Sequence, residues 1–152
     1  MPLDEGMPAP EISAPNQYGD TRTVTGEDPT VLYFYPRDNT PGCTTEANQF
    51  TEEIETYREA GVEIYGVSTD TVESHERFAE AQDIEFDLLA DPDGQVADAY
   101  DVDRNPSGST QRTTFVIVDG SIHTVYTNVS PDGHAREVMM DLLDDDIVEL
   151  EI

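Results

Sequence analysis

Cys43 is the one residue in the chain equipped to act as a sulfur nucleophile, and the residues around it form a setting for a thiolate. It ends the run Pro36-Arg-Asp-Asn-Thr-Pro-Gly-Cys43 and is followed by Thr-Thr-Glu46. This run lies between a β-branched and aromatic strand-like segment, Thr30–Tyr35, and a stretch in which Ala47, Phe50, Ile54 and Tyr57 recur at helical spacing. Strand-to-helix junctions of this kind are where α/β proteins place ligands. Thr40 is suited to cap the helix and Pro41 to open it, which predicts Cys43 in the first turn. Unpaired backbone N–H groups and the helix dipole favour an anion there. A free cysteine, with an ordinary pKa of about 8.5, is mostly protonated at neutral pH, and a helix N-terminus or a nearby arginine shifts the balance toward the thiolate. A lone cysteine is usually a small buried apolar residue. The position of Cys43 after Thr-Pro-Gly, read as outside the apolar stripe of the helix, favours chemistry instead.

The elements that must hold this loop follow from periodicity. Short extended pieces at Ile12–Ala14 and Arg22–Val24 flank a turn, Asn-Gln-Tyr-Gly-Asp, and predict an N-terminal hairpin. One helix is expected from Cys43 to about Tyr57, ended by Gly61. Val62–Ser68 then reads as a strand, Val72–Ala81 as a helix, Asp87–Ala90 as a strand and Gln95–Tyr100 as a short helix. Thr113–Val118 and Ile122–Thr127 flank Asp119-Gly120, a strong hairpin signal, and a last helix is expected from about Gly133 to Leu143. Alternating strands and helices that close on a hairpin and a helix predict a three-layer α/β domain with a mixed central sheet. At 152 residues, with no repeat and no long linker, residues 1–152 are expected to form one domain.

Composition narrows the functional classes. There are 34 Asp and Glu against 7 Lys and Arg, all of them Arg, for a formal charge of −27. Phosphate binding requires clustered cations, so nucleic acid and anionic membranes are excluded as partners. Compact apolar runs under so acidic a surface suggest a folded protein of a salt-rich cytoplasm, where screening removes the self-repulsion. No apolar run approaches the roughly 20 residues that span a bilayer, and the N-terminus offers no basic and apolar leader, which makes cytoplasmic residence the expectation. One cysteine rules out an internal disulfide and a CxxC pair. His75, His123 and His134 are scattered without ligand spacing, so no metal site is expected, and Phe34, Phe50, Phe78 and Phe115 sit at core periodicity and need no cofactor to explain them. Asp91-Pro-Asp93-Gly94 lacks the further ligands of a calcium loop and reads as a turn.

The segment Tyr-Pro36-Arg-Asp-Asn-Thr40-Pro-Gly-Cys43-Thr-Thr-Glu46 closely resembles the active-site loop of peroxiredoxins of the bacterioferritin-comigratory or Q type. Pro36, Thr40 and Cys43 match the family's Pro-x-x-x-Thr-x-x-Cys, and Arg112, just before the apolar run Thr113–Val118, matches its distant arginine. The opening Gly-Met-Pro-Ala-Pro-Glu-Ile, the run Ile64–Ser68 and Leu-Leu-Ala-Asp-Pro-Asp-Gly extend the similarity over nearly the whole chain. The resemblance implies a thioredoxin-like fold and a thiol peroxidase acting on hydrogen peroxide and organic hydroperoxides without a cofactor. It makes Cys43 the peroxidatic thiolate, Thr40 a hydrogen-bonding partner of thiolate and peroxide, and Arg112 the cation that stabilises the thiolate and the leaving oxygen. Pro36 would then shield the pocket, and Glu46 would orient Arg112.

Many members of the type carry a resolving cysteine five residues after the peroxidatic one; that position here is Asn48. The resemblance therefore implies a one-cysteine cycle completed by an outside thiol, whether thioredoxin-like, glutaredoxin-like or a small molecule; monomer and weak homodimer are both open. Two other readings stay open at this point. One is a thiol-disulfide oxidoreductase, which would ordinarily need a second cysteine; the other is a redox sensor or holdase that uses the same activated thiolate.

Overall fold

The computed structural model describes residues 2–127, 129–145 and 147–148. The N-terminal hairpin pairs β1 (Ile12–Pro15) antiparallel with β2 (Thr21–Val24), and the Asn16 amide donates to the Asp20 carbonyl across the turn. The remaining strands, β3 (Thr30–Phe34), β4 (Glu63–Ser68), β5 (Asp87–Ala90), β6 (Thr113–Val118) and β7 (Ser121–Thr127), form one sheet in the order β5-β4-β3-β6-β7. β3, β4 and β5 run parallel, while β6 and β7 are antiparallel additions, so the sheet is mixed. The β6–β7 turn has Asp119 at φ 51° and Gly120 at φ 75°, the two left-handed residues that a tight hairpin turn demands.

Every residue of β3 is buried, as expected of a central strand covered on both faces. Alternation along the strands separates two cores. Val31, Tyr33 and Tyr35 face one layer, with residues of α1 (Pro41–Glu52), α2 (Ile54–Glu59), α3 (Val72–Gln82) and α5 (His134–Asp144). Leu32 and Phe34 face the other, with the hairpin and α4 (Gln95–Ala99). This is the three-layer, thioredoxin-like α/β arrangement with an N-terminal hairpin. Asp91 heads α4, its carboxylate accepting from the backbone amides of Val96 and Ala97, so the Asp91–Gly94 segment is a helix-capping turn. No helix among the described residues is long and apolar enough to cross a membrane.

The helix expected from Cys43 to Tyr57 is broken at Glu53, with φ −93° and ψ 3°. Glu52, Glu53 and Glu55 crowd like charges at the break, where a continuous helix would gain no side-chain support. Across the break Phe50, Ile54 and Tyr57 stay in one core cluster, and the Tyr57 hydroxyl reaches the Ala135 carbonyl at 2.6 Å.

Candidate active site

Cys43 lies in the first turn of α1, with Thr40 at the N-cap position and Pro41 opening the helix. The Thr40 side chain does not cap it. Its hydroxyl donates to the Arg37 carbonyl at 2.9 Å, turned back into the loop. The expectation that Cys43 stands outside the apolar stripe is also overturned. Cys43 is 1% exposed and belongs to the same core cluster as Ala47, Phe50 and Ile54. Four residues before Ala47 is one helical turn, so the stripe simply begins at the cysteine.

Burial alone would make this thiol inert, but the polar groups facing it argue against that. Arg112, at the entry to β6, directs Nη2 to Cys43 Sγ at 3.1 Å and Nη1 to Glu46 Oε1 at 3.0 Å. Glu46, one helical turn beyond Cys43, is itself 1% exposed. One guanidinium therefore bridges a sulfur and a carboxyl on the same helix face, using the fork geometry that lysine lacks. Burial pushes the Glu46 carboxyl up to about 7, with the Arg112 charge and hydrogen bond opposing the rise. The Arg112 side chain keeps some exposure, whereas Cys43 and Glu46 are almost wholly buried.

Gly42 is required by this approach. A Cβ there would lie 2.7 Å from Arg112 Nη2 and 3.2 Å from Pro131 Cγ, too close for either to stay in place. α1 is tied on its other sides as well. Asn48 Nδ2 donates to Gln82 Oε1 of α3 at 3.2 Å; Gln49 donates to Asp132 and accepts from the Gly133 amide, each at 2.6 Å. The residue standing where a resolving cysteine would be thus holds the helix to its neighbour. Pro36 is partly buried between Tyr35 and the exposed Arg37 at the start of the loop.

Of the five residues expected at the site, the structure gathers Cys43, Glu46 and Arg112 into direct contact. Thr40 and Pro36 lie on the adjoining loop, and the Thr40 hydroxyl is hydrogen-bonded to Arg37 and not to these three. Sequence reasoning missed Gly42, whose role is visible only once Arg112 is seen against it. It also missed a buried group beneath the loop, Asp38, Asp70 and His75, whose potential ligand atoms lie within 4.8 Å of one another. These atoms are engaged with each other and with Tyr35, Ser68 and Ser74.

A thiol held by a guanidinium at a helix N-terminus on a thioredoxin-like sheet defines a cysteine-based redox enzyme. The AhpC/TSA family matches residues 6–125, and the chain belongs to that family, among its peroxiredoxins of the Bcp and Q type. It is 36% identical over 148 residues to a putative peroxiredoxin Bcp of Coxiella burnetii, covering 91% of this chain and 98% of the relative. It is 35% identical to peroxiredoxin Bcp of Escherichia coli, covering 91% and 94%. Among solved structures, peroxidoxin BcpB of Mycobacterium tuberculosis superposes with a TM-score of 0.87 at 33% identity, over 93% of this chain and 97% of that one. A cysteine-to-serine mutant of Xanthomonas campestris peroxiredoxin Q gives 0.84 at 30%, over 94% and 99%.

Proposed function

We propose that the chain reduces hydrogen peroxide and organic hydroperoxides by a one-cysteine cycle at Cys43. The observation that carries this reading is the Arg112 fork, which places one guanidinium nitrogen 3.1 Å from Sγ and steadies the other on Glu46. The Cys43 thiolate attacks the distal peroxide oxygen, the O–O bond breaks, and the departing oxygen takes a proton to leave as water or alcohol. Cys43 becomes a sulfenic acid. Arg112 stabilises the negative charge as it passes from sulfur to the leaving oxygen. Because the Thr40 hydroxyl proton is committed to the Arg37 carbonyl, its oxygen is free to accept the peroxide O–H and align the attack. Pro36 limits water access at the loop, and Glu46 orients Arg112.

With no second cysteine, an external thiol condenses with the sulfenic acid, releasing water. A second thiol then frees Cys43 and leaves as a disulfide. The thiol is a thioredoxin-like or glutaredoxin-like protein or a small molecule. The protein works as one domain over residues 1–152, as a monomer or weak homodimer, in a reducing cytoplasm that suits a free catalytic thiol. The charge of −27 without a single lysine supports a salt-rich cytoplasm and a halophilic source. Melting curves should rise markedly between dilute buffer and multimolar KCl, and a flat response would remove the halophilic part of this reading.

The test of function is steady-state peroxide consumption with a thiol reductant, comparing the natural chain with Cys43→Ser. Repeated turnover that vanishes in the variant supports a peroxidase. A single oxidation per molecule under every reductant supplied would favour a redox sensor.

A further inference from the structure

Beneath the peroxidatic loop lies a buried polar group that the chemistry above does not use. Asp38 Oδ1 accepts from the Tyr35 hydroxyl at 2.6 Å; Oδ2 accepts from the Ser74 hydroxyl at 2.8 Å and lies 2.7 Å from His75 Nδ1. The Asp38 backbone N–H is also captured, donating to Asp70 Oδ2 at 2.8 Å, and Asp70 in turn accepts from the Ser68 hydroxyl. The far ring nitrogen of His75 sits 2.9 Å from the Leu89 carbonyl of β5. A carbonyl only accepts, so Nε2 donates to it and the ring is held with Nδ1 facing Asp38. The His75 and Asp38 side chains are 0% and 1% exposed.

A buried charged or proton-sharing pair is a poor device for stability, since apolar residues of similar volume often serve as well or better. What this pair does supply is fixed orientation. It clamps one loop residue, through both side chain and backbone, to α3, β5 and the segment following β4. The very next residue, Asn39, adopts φ 63°, a left-handed conformation that asparagine accommodates better than most side chains, so the loop turns sharply directly after the clamped residue. Thr40 follows, then the helix that carries Cys43. Thr110, two residues before Arg112, donates to the Tyr35 carbonyl at 2.9 Å, so the strand that delivers the arginine is tied to the same corner.

We propose that His75, acting through Asp38, is a positioning residue for the peroxide reaction, setting the loop so that Thr40, Cys43 and Arg112 converge on one peroxide. It touches none of the reacting atoms. This inference rests on the peroxidase reading and adds to it a residue on α3 that lies outside the loop.

The test compares two second-order rates at Cys43 in the same reduced protein, oxidation by hydrogen peroxide and alkylation by iodoacetamide. Both rates are read at a pH that ionises the thiol in every variant, so that alkylation requires neither the aligned hydroxyl nor the arginine. His75→Phe should slow the peroxide reaction by up to about 100-fold, the effect of an ångström-scale misplacement, while alkylation stays close to that of the natural chain. His75→Asn retains a donor toward Asp38 and should recover most of the peroxide rate. Asp38→Asn supplies a second route should His75→Phe fail to fold, and should show the same selective loss. Equal loss in both rates, or no loss in either from a folded variant, overturns the positioning role. Absence of any peroxide reaction in the natural chain would instead remove the peroxidase reading itself.

Discussion

The buried carboxyl of Glu46 makes a quantitative prediction about stability and pH. Its value in the folded protein is about 7, against an ordinary 4.5, so across that interval the folded chain holds a proton that the unfolded chain has released. A group raised in this way contributes stability that is fully present below the unfolded value and is lost as pH rises through the folded one. At about 1.4 kcal/mol per pH unit, the interval from 4.5 to about 7 corresponds to a loss on the order of 3 kcal/mol between the acid and the neutral side. Many other carboxylates titrate nearby, so the contribution has to be isolated by difference. Glu46→Gln removes the titration while keeping a side chain able to accept from Arg112 Nη1. Urea unfolding of both proteins at fixed salt, from about pH 4 to about pH 8, gives the difference in stability at each pH. The natural chain should lose about 3 kcal/mol relative to the variant across this range, with most of the change between 4.5 and 7. A difference that is flat with pH, or that grows in favour of the natural chain as pH rises, would refute the assignment of a desolvated carboxyl at this position.

Substitutions at three positions probe the rest of the site. Arg112→Ala should slow Cys43 oxidation by roughly 100- to 1,000-fold, the usual effect of removing a donor aimed at developing charge, and stopped-flow peroxide kinetics at normal rate would contradict the contact at Sγ. Thr40→Val should cost roughly 10- to 100-fold, the worth of about 1.5–3 kcal/mol for a hydrogen bond in a charged site, while Thr40→Ser keeps the oxygen and most of the rate. Gly42→Ala introduces a Cβ 2.7 Å from Arg112 Nη2. The flexible end of the arginine should give way, lowering the peroxide rate by up to about 100-fold with little change in melting temperature.

Local patterns carried the fold. β-branched and aromatic runs marked the strands, and Asp119-Gly120 marked the turn between β6 and β7, because these signals arise within a few residues. The loop motif likewise placed Cys43 at the start of a helix, and the resemblance singled out Arg112, which meets it from 69 residues away. What could not be read locally depends on neighbours. The break at Glu53 is invisible in the spacing of Phe50, Ile54 and Tyr57, which is equally compatible with a continuous helix. The start of the apolar stripe at Cys43 is masked in the sequence because a cysteine after Thr-Pro-Gly looks like loop chemistry, although it stands one turn before Ala47. His75 and Asp38 are separated by 37 positions, and the sequence shows them only as a scattered histidine and one aspartate among many. The parallel pairing of β3 and β4 and the packing of α3 bring them together.

The most direct test of the central claim is rapid mixing of the reduced protein with one equivalent of hydrogen peroxide in multimolar KCl, reading peroxide loss and the mass of the Cys43 peptide together. A one-cysteine peroxidase consumes the peroxide rapidly and gains one oxygen at Cys43, in a form that a thiol then removes. Peroxide that persists beside an unmodified Cys43 in folded protein would contradict the account.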